Sequence, residues 1–217
     1  MEKRVLSVLA CVAICTLAMS TTSYGQLIDP GSEGMVTSPT GNGVGGWTFF
    51  NGAAFETGVA NSGTNANVLA GPGGYSVPGA YQAFPATALQ VFTMTAVGLQ
   101  PTVPANVANT WGALQMTFFA GPAGTGANLG TVETSPGNAK VGNEINGTSP
   151  AGVWLPLSVT ATAPAGAQSV LVYDLVLDQT PTTVYFDDQT LVPEPSTVAM
   201  ALTGLLGLVA FAKKRRV

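Results

Sequence analysis

Val153-Trp154-Leu155-Pro156-Leu157-Ser158-Val159-Thr160-Ala161-Thr162 decides the fold class. Leu155, Leu157, Val159 and Ala161 point one way while Ser158, Thr160 and Thr162 point the other. That is the period-2 pattern of a strand with one buried and one solvated face. The next segment, Gln168–Leu177, is different. Val170, Val172 and Val176 alternate with Leu171, Tyr173, Leu175 and Leu177, so both faces are apolar and the segment reads as a central strand. Working outward, six further segments of this kind are Gly46–Phe50, Ala66–Ala70, Leu89–Leu99, Trp111–Ala120, Leu129–Thr134 and Thr183–Val192. Gly/Pro-rich loops fall at Gly71–Gly79 and Gly121–Gly130, and there is little room for a helix between the prolines. Short, evenly spaced strands with turn residues between them predict an all-β sandwich or barrel.

The charge pattern limits the chemistry. Between Gln26 and Val192, 167 residues, Lys140 is the single cation, set against nine acids. The net charge of this segment is −8, against −4 for the whole chain. Such a surface repels phosphate backbones, which excludes nucleic acid as a partner. The segment has no histidine, arginine or cysteine. A Ser-His-Asp triad, a thiol nucleophile, an arginine clamp and an ordinary zinc site are therefore all ruled out. Carboxylates, hydroxyls, amides and aromatic rings remain, a vocabulary suited to sugars and calcium. The length is ample for one domain with one core.

The two ends read as addresses. Lys3 and Arg4, the apolar stretch Val5–Met19 and the small-residue site Ser23-Tyr24-Gly25 have the order of a secretory signal peptide, residues 1–25, cleaved before Gln26. A retained signal anchor is the alternative. Cys11 and Cys15 both lie inside this segment and neither sits in a lipoprotein box, so the exported part is without disulfides. Residues 193–217 begin with Pro193, Glu194, Pro195 and Ser196, continue through the uncharged run 197–212 and end on Lys213, Lys214, Arg215 and Arg216. Two prolines should hold Pro193–Pro195 extended and outside any sheet. Sixteen helical residues span about 24 Å, short of a hydrocarbon core of about 30 Å. The cations should keep that end cytoplasmic, leaving everything before Pro193 outside. This order of elements resembles the PEP-CTERM sorting tail of bacteria. The resemblance implies processing by an exosortase-type membrane transpeptidase, after export through the secretion translocon, and a transient single-pass anchor before delivery to the cell surface or an extracellular matrix.

A second resemblance spans most of residues 27–192. Leu27-Ile28-Asp29-Pro30-Gly31-Ser32-Glu33, Gly46-Trp47, Trp154-Leu155-Pro156-Leu157-Ser158 and Val184-Tyr185-Phe186-Asp187-Asp188-Gln189-Thr190-Leu191 resemble family 4/9-type carbohydrate-binding modules. These are galactose-binding-like β-jelly rolls, so a jelly-roll sandwich over 26–192 is expected. The usual opening is Asn-Pro-Gly-Phe-Glu, and this chain departs from it at Asp29 and Ser32. The resemblance implies that Glu33, with Asp187 or Asp188, contributes to a structural calcium site of oxygen ligands. The other reading makes Asp187 and Asp188 polar residues of an edge strand. The resemblance also places Trp47 and Trp154 in the core. Trp111, which follows the polar loop 106–110, and Tyr75 and Tyr81 are the candidate glycan contacts, with packing or plain loop exposure as the alternative. Glu133 and Glu144, flanking the loop 135–142, are the nearest approach to a glycosidase carboxylate pair, and otherwise read as solvated loop acids. The expected function is a non-enzymatic exported surface or matrix protein. The alternatives are a carbohydrate-binding protein with a defined ligand, with extracellular polysaccharide as partner, and a carboxylate-dependent glycan hydrolase.

Overall fold

The computed structural model describes residues 26–101, 110–134, 139–140, 144–178 and 180–194. The signal segment 1–25, the membrane run 197–212 and the basic end 213–216 lie outside the described residues, as does most of the 106–110 loop. Twelve strands follow in order: β1 Thr48–Phe50, β2 Ala53–Thr57, β3 Asn65–Gly71, β4 Gly79–Pro85, β5 Val91–Leu99, β6 Thr110–Phe119, β7 Asn128–Glu133, β8 Ala139–Lys140, β9 Ile145–Asn146, β10 Leu155–Thr162, β11 Ser169–Asp178 and β12 Thr182–Pro193. The larger sheet has the order β1-β4-β11-β6-β7-β8, with β9 paired to β6, and the smaller has β10-β5-β12-β3-β2. The protein is thus an all-β jelly-roll sandwich, as its sequence implied. Pairing is antiparallel except between β7 and β8. Among the described residues the helical content is one 3₁₀ turn at Pro122–Gly124, and no helix is long and apolar enough to cross a membrane.

The two strands that gave the fold class sit where their patterns put them. β10 is an edge of the smaller sheet and alternates buried Leu157, Val159 and Ala161 with exposed Ser158, Thr160 and Thr162. β11, apolar on both faces, lies between β4 and β6. Val170, Val172 and Val176 of β11 and Leu114, Met116 and Phe118 of β6 meet Phe92, Met94, Leu157, Val159, Val184 and Phe186 of the smaller sheet in one core. Trp47 belongs to that core, fully buried. Trp154 does not: it is half-buried, just ahead of β10, so its assignment to the core is corrected.

β2, β4, β8 and β9 went unread in the sequence, and β4 is the instructive one. Gly79-Ala80-Tyr81-Gln82-Ala83-Phe84-Pro85 has two alanines and a glycine and buries a glutamine, a weak strand signature. Packing supplies the reason for those small residues. A Cβ at Gly79 would stand 2.4 Å from the Phe50 ring and 2.7 Å from Leu175, so only glycine fits. Gln82 is satisfied by the N-terminal segment: its Oε1 accepts from the Ile28 N–H at 3.0 Å and its Nε2 donates to the Ile28 carbonyl at 2.8 Å.

Pro193 overturns, for itself, the expectation that the sorting prolines stay outside the sheet; Pro195 and Ser196 lie outside the described residues. Pro193 is the last residue of β12, opposite Phe92 of β5, and the Glu194 N–H donates to the Val91 carbonyl at 2.8 Å. The pairing of β12 with β3 ends at Phe186, so on that side the donor missing from Pro193 faces no strand. β12 itself lies between β5 and β3, but Asp187 and Asp188 belong to its stretch beyond Phe186, where β5 is the paired neighbour. Phe186, fully buried at the middle of β12, should be the costliest single truncation: Phe186→Ala is expected to lower unfolding free energy by about 3–5 kcal/mol in urea titration.

Candidate functional site

The outward face of the larger sheet brings aromatic and amide groups together. Alternation along β6 and β11 fixes which residues stand there. Gly112, Leu114, Met116 and Phe118 point inward, so Trp111, Ala113, Gln115 and Thr117 point out; likewise Tyr173, Leu175 and Leu177 of β11. The register then assembles one row across four strands. Tyr81 of β4 is opposite Tyr173, Tyr173 is opposite Gln115, and Gln115 is opposite Glu133 of β7. The Tyr81 and Tyr173 rings lie 5.3 Å apart at 39°, and Phe50 tilts against Tyr81 at 6.2 Å. Trp111 is opposite Leu177, four residues along β11 from Tyr173, or roughly 13 Å.

Each member of the row is held differently. The Tyr81 hydroxyl donates to the Gly41 carbonyl at 3.0 Å, and the Gly43 turn lies against its ring. Gln115 Nε2 donates to Thr117 Oγ1 at 3.0 Å, and that hydroxyl meets Thr131 Oγ1 at 3.1 Å. Tyr173 is half-buried, and among the described residues its hydroxyl has no partner. Burial, with Tyr81 beside it, pushes its phenol up to about 12, so the hydroxyl stays protonated and able to donate. Glu133, next in the row and in register with Lys140 of β8, is 2 % exposed. It is therefore a buried residue and not a solvated loop acid. Half-buried Glu144 accepts from Asn146 Nδ2 at 3.1 Å. Of the expected glycan contacts, Tyr81 and Trp111 stand on this face. Tyr75 is instead in the loop before β4, more than half exposed and with a positive φ. Tyr173 and Gln115 were not singled out from the sequence, although the second apolar face of β11 was the signal that could have found Tyr173.

Glu33, Asp187 and Asp188 do converge, on the loop 61–65. Glu33 Oε1 accepts from the Thr64 and Asn65 N–H groups at 2.8 and 2.9 Å, and Oε2 from Thr64 Oγ1 at 3.0 Å. Asp187 Oδ2 accepts from the Asn61 and Ser62 N–H groups at 2.7 and 3.0 Å, and Oδ1 from the Asp188 N–H at 2.7 Å. Asp188 takes the Ser62 hydroxyl and Asn61 Nδ2. Hydrogen donors thus point at the oxygens a calcium ion would need. Among the described residues no three His, Cys, Asp or Glu are placed to share a metal ion. The three carboxylates fit a hydrogen-bonded clasp and do not fit a calcium cage.

The two sides of the clasp titrate in opposite directions. The Asn65 and Thr64 amides hold Glu33 below the usual carboxylate range, so its contribution is lost as pH falls through its folded value. Burial raises Asp187 in spite of its amide donors, so its contribution weakens as pH rises past the ordinary carboxylate range.

Comparison with known proteins bears first on the C-terminus. Residues 191–216 match the PEP-CTERM protein-sorting motif. This is the address read from Pro193 onward, and it overlaps the last residues of β12. No curated protein matches the chain. Among solved structures the chain is similar to TmCBM61 in complex with β-1,4-galactotriose, with TM-score 0.48, 13 % identity, and 77 % of this chain and 97 % of that chain covered. A family 4 carbohydrate-binding module gives TM-score 0.42 and 16 % identity over 68 % and 86 % of the two chains. An arabinose-bound GH51 α-L-arabinofuranosidase gives 0.46 and 15 % over 68 % of this chain but 23 % of its own. At these identities and scores the likenesses do not decide what the face binds.

Asp187→Ala should strip acceptors from three N–H groups and lower stability by about 2–3 kcal/mol, as read by thermal or urea unfolding. Calcium and a chelator are each expected to leave the wild-type midpoint in place. A midpoint raised by calcium, with the rise absent in Asp187→Asn, would reinstate the ion.

Proposed function

We propose that residues 26–194 are a non-catalytic module that holds neutral glycan on the outward face of its larger sheet. On this reading the signal segment passes the chain through the secretion translocon. The C-terminal motif then hands it to an exosortase-type transpeptidase for delivery to the cell surface or matrix. One observation carries the glycan reading: the paired rings of Tyr81 and Tyr173 in one row with Gln115, on a sheet face and not in the core. The apolar, C–H-bearing face of a pyranose matches an aromatic plane, while the Tyr173 hydroxyl and the Gln115 amide offer directional bonds to its hydroxyls. Trp111 extends the same face along the strands.

The charge pattern narrows the ligand. With Lys140 the lone cation between residues 26 and 192, no arginine or lysine cluster can neutralise an acidic polysaccharide. A neutral glycan costs no such pairing. A glycan hydrolase is the weaker reading. Glu133 is enclosed, and the domain has no histidine or arginine to assist it.

Affinity electrophoresis of the mature protein against neutral and acidic polysaccharides tests the reading. Retardation by one or more neutral glycans is expected, weakened about tenfold, or about 1.4 kcal/mol, in Tyr173→Ala and less in Trp111→Ala. Retardation by acidic polymers alone, or an unaltered Tyr173→Ala, would sink it.

The sorted end makes a separate prediction. Removing residues 190–193 would strip four registered positions of β12 from β5. Processing should therefore leave a C-terminus at or beyond Glu194, which mass spectrometry of the protein recovered from cells will read directly.

A further inference from the structure

Asp174 stands on the inward face of β11, fully buried between the sheets. Its register partners are Ala80 of β4 and Leu114 of β6. The polar groups that reach it come from the smaller sheet. Asn67 Nδ2 of β3 donates to Asp174 Oδ2 at 3.0 Å, and Gln189 Nε2 of β12 donates to the same oxygen at 2.9 Å. Asn67 Oδ1 in turn accepts from the buried Ser32 hydroxyl at 2.9 Å. What these bonds leave over is specific. Asp174 Oδ1 and Gln189 Oε1 are both buried, and among the described residues neither has a donor.

Two acceptors left bare in a core are expensive, and a bare carboxylate more so. No charge offsets it: β3, β4, β6 and β12 bring Asn67, Ala80, Leu114 and Gln189, none of them titratable. One proton answers both vacancies. A carboxylic acid and a primary amide already joined by one N–H···O bond close a ring when the acid O–H donates to the amide oxygen. Turning the Gln189 amide over does not remove the need, because its oxygen would then face Oδ2 and one acceptor pair would persist.

We infer that Asp174 is carried as a neutral carboxylic acid, its Oδ1–H bonded to Gln189 Oε1, and that this acid–amide ring is a pH-sensitive fastening between the two sheets. Burial pushes the carboxyl up to about 7, working against the Asn67 and Gln189 bonds to the ionised form. The direction of the effect follows from linkage. In the unfolded chain the same group has an ordinary value near 3.8. Between these values the folded state holds a proton that the unfolded state has released, so stability falls as pH rises through that window. Glu33, held below its ordinary range, acts in the opposite sense, and Asp187, raised by burial, acts in the same sense.

Asp174→Asn is the decisive variant, since its Nδ2–H copies the acid O–H and its Oδ1 can still accept from Gln189 and Asn67. The mature protein is unfolded in urea from pH 4.5 to 8.5, with and without calcium. The wild-type midpoint is expected to fall across pH 5–8. The Asn variant should lose the share of that dependence due to Asp174, keeping the share due to Asp187, and match or exceed wild type above pH 7. A wild-type midpoint flat across the range, or an Asn variant weaker at every pH, overturns the proposal. So does a midpoint that calcium raises in wild type but not in the Asn variant, which would make the two bare oxygens cation ligands. A carbon-13 titration of the wild-type Asp174 carboxyl stands independently of how the variant folds. A midpoint within about a unit of 7 supports the acid, and ionisation already complete at pH 5 rejects it.

Discussion

Carboxylates without cations are the constraint on which this structure turns. A domain with one lysine and nine acids between residues 26 and 192 has almost no ion pairs to draw on. Its acids must be satisfied by N–H and O–H groups or be neutralised. Asp29 accepts from the Gly34 and Val36 N–H groups, and Glu33 and Asp187 gather the amides of residues 61–65. Each such carboxylate organises a stretch of irregular backbone whose donors would otherwise go unpaired. The loops at this end of the sandwich are ordered by the acids, and the acids are tolerated because of the loops.

The same constraint links the N-terminal segment to the core. Where the resembling modules open on Asn-Pro-Gly-Phe-Glu, this chain has Ser32 in place of the phenylalanine. That serine is fully buried and begins the hydrogen-bonded chain through Asn67 to Asp174 and Gln189. A polar residue at that position makes sense only with polar partners beneath it. The bulge in β12 completes the arrangement. Between Asp187 and Thr190 the register against β5 shifts, and Asp188 takes a left-handed φ of 50° that its own side-chain bonds hold in place. With the extra residue there, Asp187 reaches the loop and Gln189 reaches the core.

The legible part of the fold was the part set by alternation. β10 and β11 declared themselves through Leu155–Thr162 and Val170–Leu177, because their faces differ in solvation or in packing. β4 did not, since its small residues are dictated by Phe50 and Leu175, contacts from distant strands that no local pattern encodes. Pro193 misled for a related reason. Its local chemistry opposes a sheet, but β12 has lost its neighbour on one side by that point, and the neighbouring Glu194 supplies the rung. Of the site, the aromatic types were visible and the row was not: Tyr81, Tyr173 and Gln115 come from three strands, and only register makes them neighbours. The Asp174 network was hidden most completely. A single aspartate in an apolar strand has no periodicity to betray which side it faces.

The continuity of β12 with the sorting segment has a mechanical meaning. A load entering through Pro193 would pull along a strand flanked first by β5, then by β5 and β3 together at Phe186 and Tyr185, and from Val184 back to Thr182 by β3. Such a pull shears many hydrogen bonds at once instead of opening them one by one. Resistance of that kind is a matter of unfolding rate more than of equilibrium stability. Tension applied at the C-terminal end of this strand would thus be shared across the smaller sheet from its first rung.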